Sequence, residues 1–156
     1  MNPDWGCSKS SAFSCWNGQL LGVEGFAGAN DIWKRFGAEA DVRIFNWRGL
    51  GGGMKEDTYA AGPTIRIFGR KRFMVAVNAL VGLGSITLPP NSGPGQGNYF
   101  IIAPSARVEQ HLVRRISIRY EYEYQRWPGF AGINGTNGLT PNGIGVGVSY
   151  QLRGKR

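Results

Sequence analysis

Between Ile116 and Trp127 the chain alternates. One set of positions carries Ile116, Ile118, Tyr120, Tyr122 and Tyr124; the intervening set carries Ser117, Arg119, Glu121, Glu123 and Gln125. Successive side chains leave a β-strand on opposite faces, so this period of two predicts a strand with one apolar–aromatic face and one charged face. A helix would scatter both sets around its circumference.

The same alternation, bounded by Gly, Pro and Asn, predicts seven strands, at 19–29, 36–47, 57–68, 72–87, 99–110, 116–127 and 142–152. Their connectors alternate too. Residues 30–35, 69–71 and 111–115 are short and basic, whereas 48–56, 88–98 and 128–141 are long and rich in Gly, Asn or Pro. Short turns at one end and long loops at the other describe an antiparallel up-and-down meander. Closure into a barrel is the usual way such a meander hides its edges.

Read in a common phase, one face of these strands collects Glu24, Glu39, Asp41, Arg43, Arg66, Arg107, Glu109, Arg119, Glu121 and Glu123. Every base in these strand interiors is Arg, whose planar fork binds carboxylates bidentately and suits buried pairs. The other face is Val, Ile, Ala, Leu and Tyr without mid-strand charge. This predicts an all-β, antiparallel up-and-down transmembrane β-barrel, with apolar side chains toward lipid and a lumen filled by charged side chains. Trp33, Trp47, Tyr59, Tyr99, Tyr124 and Trp127 fall near strand ends, where an aromatic girdle belongs. The alternative is a soluble calycin-like barrel that turns its tyrosine face inward around a small ligand.

Composition narrows the chemistry. With 156 residues the chain is one domain. Its 25 Gly are about twice the roughly 7% background, which suits a barrel. No apolar run is long enough for a transmembrane helix. The net charge of +8 does not point to nucleic acid, because the bases cluster at turns while the aromatics sit on regular strand faces. His111 is the only histidine, so a zinc site of Cys/His type is not expected. Cys7 and Cys15 lie in a Ser-rich stretch and are either a small disulfide or two free thiols. No phosphate-loop, nucleophile-elbow or zincin motif occurs, and Gly51–Gly53 lacks a strand-to-helix setting. Glu121 and Glu123 share a face, but ion pairing is the commoner use of such carboxylates than acid–base catalysis. Neither enzyme activity, nor a cofactor, nor a metal is expected.

The segments 62–66 (Gly-Pro-Thr-Ile-Arg), 122–130 (Tyr-Glu-Tyr-Gln-Arg-Trp-Pro-Gly-Phe) and 139–150 (Leu-Thr-Pro-Asn-Gly-Ile-Gly-Val-Gly-Val-Ser-Tyr) resemble the OmpA-like outer-membrane β-barrel family. The nearest resemblance is to its eight-stranded domains of acidobacterial type, and it runs from about residue 20 to residue 152. It implies a Gram-negative outer-membrane location and a porin-like, structural or surface-binding role through the long loops. Gly147, Tyr150 and Leu152 resemble the C-terminal signal read by the barrel-assembly machinery, although the chain ends in Arg-Gly-Lys-Arg instead of an aromatic residue. Outer-membrane lipid and that machinery are the implied partners.

Residues 1–18 show no charged region followed by an apolar one, as a secretory signal would. Bacterial barrels of this kind have an even number of strands. The expectation is a signal peptide and a first strand upstream of Met1, with 1–18 as a loop remnant, 19–152 as barrel strands and 153–156 as a basic tail.

Overall fold

Each stretch of alternation forms a strand in the computed structural model, which describes residues 20–47, 54–87, 97–131 and 137–152. The strands are β1 (Leu21–Trp33), β2 (Phe36–Trp47), β3 (Met54–Gly69), β4 (Phe73–Thr87), β5 (Gly97–Val113), β6 (Ile116–Tyr124), β7 (Trp127–Ala131), β8 (Asn137–Leu139) and β9 (Asn142–Tyr150). Seven of them form one antiparallel sheet in the order β1-β2-β3-β4-β5-β6-β9, curled into a half-barrel. β1 and β9 are its edges and are not hydrogen-bonded to each other. Every neighbouring pair is antiparallel, so these two edges run in the same direction.

The strands at the short-turn end are longer than their alternation predicts. β1 continues through most of the expected 30–35 connector because a register slip lies between Ala29 and Trp33. Asp31 takes up this slip with a φ of 58°, a left-handed conformation that Asp tolerates better than most residues. Only Lys34 and Arg35 remain as the turn. β5 likewise runs on past Gln110, with a slip between His111 and Val113, so Arg114 and Arg115 make the next turn.

The sixth strand ends earlier than expected, at Tyr124. The Gln125 amide donates to the Pro141 carbonyl (2.7 Å), and Arg126 exchanges two hydrogen bonds with Ile102 on β5 (2.8 and 3.0 Å). That switch sends the chain into β7, and the expected loop 128–141 contains the small β7–β8 hairpin.

Burial follows the alternation. On β6 every second residue is buried, and the others are exposed or partly so. An apolar cluster fills the part of the concave side near the long loops, joining Leu20, Ala60, Leu80, Ile86, Ile101 and Ala103 to Trp127, Phe130 and Leu139. Trp127 packs on Gly84, where an added Cβ would lie 2.4 Å from its ring, so only glycine leaves room for the indole. Tyr99 stands edge-on to Phe130, with ring centroids 5.2 Å apart.

Candidate functional site

The charged face of the sequence is the concave face of the sheet. Glu121 and Glu123 are each 5% exposed, while Tyr120 and Tyr122 between and beside them are 43% and 51% exposed. Side chains one residue apart on the same strand thus face opposite environments.

Three arginines organise the concave charges. Arg43 on β2 reaches Asp41 (2.7 Å), Glu24 on β1 (3.4 Å) and Glu121 on β6 (3.6 Å), and also pairs with Glu123. Arg119 on β6 donates to Glu39 on β2 from both terminal nitrogens (2.8 and 3.1 Å) and to Glu121 from Nε (2.9 Å). Its guanidinium lies 4.0 Å above the Phe26 ring, which gives one of its faces a cation–π partner. Arg107 on β5 pairs with Glu39, lies 3.4 Å from Glu109, and donates to Asn30 of β1 (2.7 Å).

Neutral residues extend the network at both ends. Asn78 donates to Glu39 (2.7 Å) and to Ser105 (3.1 Å). Gln125 donates to Glu123 (2.7 Å), and the Trp127 indole donates to Gln125 (2.8 Å). The chain of contacts therefore joins β1, β2, β4, β5 and β6 across the hollow of the sheet. Buried charges are tolerated only when paired and hydrogen-bonded, and here each arginine meets several oxygens.

Of the ten charged residues assigned to the lumen, nine join this network and one does not. Arg66 pairs instead with Asp31 (2.7 Å) at the short-turn end, with its side chain 36% exposed. The aromatic residues divide by parity. Trp33, Tyr59 and Tyr124 are exposed on the convex side, whereas Tyr99 and Trp127 share the phase of Ile101 and Gln125 and face inward. Tyr99 and Trp127 are corrected accordingly: position near a strand end does not make a girdle residue when its side chain faces the hollow. The Trp47 side chain, Cys7, Cys15 and residues 153–156 lie outside the described part.

Gly147 lies opposite Arg119 near the end of β9. Tyr150 is exposed and accepts a hydrogen bond from Arg115 (3.2 Å), and Leu152 is exposed just beyond the strand.

Glu56 was missed. It faces the hollow in phase with Thr58, is fully buried, and has neither carboxylate oxygen hydrogen-bonded among the described residues. The signal was a short continuation of the alternation behind Asp57, hidden by the glycine run before it. Among the described residues the buried acids are Glu39, Asp41, Glu56, Glu109, Glu121 and Glu123, against the buried bases Arg43, Arg107 and Arg119. Carboxylate oxygens of Glu24, Asp41 and Glu121 come within 4.8 Å of one another, but Arg43 and Arg119 already stand among them in place of a metal ion.

Between the two sheet edges lies a cleft of about 370 Å³. Its floor carries Glu24, Arg43, Arg119 and Glu121, and its walls carry Gly22 on β1 and Gly143, Gly145 and Gly147 on β9. Glu24 spans it so closely that a Cβ on Gly145 would lie 3.5 Å from the carboxylate.

Compared with known proteins, the chain matches no family model, no curated protein and no solved structure.

Proposed function

We propose that this protein is a small outer-membrane β-barrel protein of the OmpA-like kind, with its convex face in lipid and its interior locked by ion pairs. Its role is to anchor in the envelope and present the long loops, with little passage of solute, because side chains occupy the hollow. One observation carries this reading: most of the large apolar and aromatic residues of the seven-stranded sheet are exposed, while the Arg–Glu network is buried together with the apolar cluster near the long loops. A water-soluble barrel has the opposite preference, since leaving aliphatic surface in water forgoes about 25 cal/mol per Å². The exposed set includes Ile144, Val146 and Val148 on β9 and Tyr120, Tyr122 and Tyr124 on β6. In lipid the same residues gain a matching solvent.

The experiment is to refold the protein with and without detergent and then offer it phospholipid vesicles. A folded state that requires detergent, and that resists carbonate extraction from vesicles, supports the proposal. A protein monodisperse and folded in plain buffer contradicts it and returns the calycin-like alternative.

A further inference from the structure

We propose that the short-turn end of the sheet is a binding rim for anionic phospholipid headgroups. Turn residues 34–35, 70–72 and 114–115 are all Lys or Arg, and all are exposed. These three turns close the β1–β2, β3–β4 and β5–β6 hairpins, so the meander brings them to one end of the half-barrel. Neighbouring turns at one end of a meander stand about 10 Å apart, so each basic turn lies within about a Debye length of the next and the three form an arc of positive potential.

Nothing in the described residues neutralises this arc. Among the described residues none of these turn bases makes an ion pair, and Asp31, the carboxylate nearest in sequence to the first turn, is taken by Arg66 at 2.7 Å. Lys55, at the opposite end, is by contrast held by Asp57 at 2.6 Å. Among the described residues six buried acids face three buried arginines in the hollow, while the rim carries only bases at its turns.

An apolar belt abuts the bases on the convex side. Trp33, Phe36, Phe68, Phe73, Leu112 and Val113 are all exposed next to the turns. The Lys34 ammonium lies 5.1 Å from the Trp33 ring centroid, and the Arg70 guanidinium 5.9 Å from that of Phe68. Aromatic rings with cations alongside them suit the depth where acyl chains give way to headgroups. The guanidinium forks then meet phosphates, which they bind bidentately. A belt of this kind fits a lipid surface, whereas a soluble polyanion would leave it in water.

The inference rests on the membrane reading above, and its test separates the two. The refolded protein is added to vesicles of phosphatidylcholine, alone or mixed with phosphatidylglycerol. Resistance to carbonate extraction reports spanning. The ratio of the two lipids retained on the protein in mild detergent, read by native mass spectrometry, reports the rim. The expected result is an enrichment of phosphatidylglycerol on the order of tenfold over the vesicle composition. It should fall to the vesicle composition in the variant Arg70→Gln, Lys71→Gln, Arg72→Gln, Arg114→Gln, Arg115→Gln. It should also fall for the unaltered protein when salt rises from about 0.05 M to about 0.5 M, which keeps the test valid if the variant folds poorly. Equal retention of both lipids, or an enrichment untouched by salt, would overturn the rim. A protein that carbonate removes, yet that shows the salt-sensitive enrichment, upholds the rim and refutes spanning.

Discussion

Arg119 on β6 holds Glu39 on β2 through two hydrogen bonds, at 2.8 and 3.1 Å, across 80 residues of sequence. Glu39 also meets Arg107 and Asn78, so one carboxylate ties four strands together. Removing it leaves two guanidinium groups buried with less compensation. Glu39→Ala should therefore cost about 3–5 kcal/mol of stability in detergent, measured by urea unfolding. The double variant Glu39→Leu, Arg119→Leu should lose less than the single one. A cost for Glu39→Ala below about 1 kcal/mol would mean that the network is not buried as described.

Glu121 tests the same face from a second strand. It bonds Arg119 at 2.9 Å and approaches Arg43 to 3.6 Å. Glu121→Leu should destabilise by at least about 2 kcal/mol, because the apolar side chain strands both bases. On a solvated surface the same change would be neutral or mildly helpful, so a neutral result in the unfolding assay counts against a charged interior.

Val77 tests the convex face. It is partly exposed in mid-strand, paired with Ile65 on β3 and Ala106 on β5. Val77→Arg should lower the stability of the vesicle-inserted form by roughly 2–4 kcal/mol if it lies near the bilayer midplane. Equal stability of the variant and the parent in vesicles would remove Val77 from lipid.

Gly84 and Trp127 test the apolar plug. The Cβ of an alanine at Gly84 would fall 2.4 Å from the indole, which is itself fully buried. Gly84→Ala should cost about 1–3 kcal/mol and loosen the β7–β8 hairpin. Faster proteolysis between Trp127 and Leu139 reads the loosening directly; an unchanged cleavage rate and stability would show that the ring is free to shift.

The edge cleft yields a prediction about closure. β1 and β9 run in the same direction, so a single added strand is antiparallel to both and satisfies two edges at once. Unpaired strand edges facing hydrocarbon cost several kcal/mol per group. A variant carrying one extra alternating strand ahead of Met1 should show compact, heat-modifiable mobility on cold gels, and the 156-residue chain should not. Full heat-modifiability of the latter alone would refute this account of the edges.

Much of the sheet was legible because alternation is local: a residue's face depends only on counting by twos from its neighbours. Glu121 and Tyr122 declare opposite faces without any tertiary information. What failed was whatever depended on more than parity. The Asp31 slip extended β1 beyond its visible pattern, since a bulge costs one residue of phase and hides the continuation. Position along the strand suggests a girdle role for Tyr99 and Trp127, although their phase points them inward. The β7–β8 hairpin was invisible because its stability comes from Trp127 and Phe130 packing on β4 and β5, not from its Gly- and Asn-rich sequence. The partnership of Glu39 with Arg119 requires the strand order and stagger, which no local pattern contains.

The most direct test of the central claim is the environment of consecutive residues on β9. Ile144, Val146 and Val148 are exposed on the convex face, and the intervening Gly145 and Gly147 face the hollow. Gly147 has no atom within 4 Å of an added Cβ, so a probe fits there without displacing a neighbour. With Cys7 and Cys15 replaced by Ser, spin labels placed one at a time from residue 144 to residue 148 are exposed in vesicles to oxygen, which concentrates in lipid, and to a water-soluble nickel complex. The account predicts a period of two, with high oxygen accessibility at 144, 146 and 148 and high nickel accessibility at 145 and 147. The opposite phase, or no alternation at all, would contradict it.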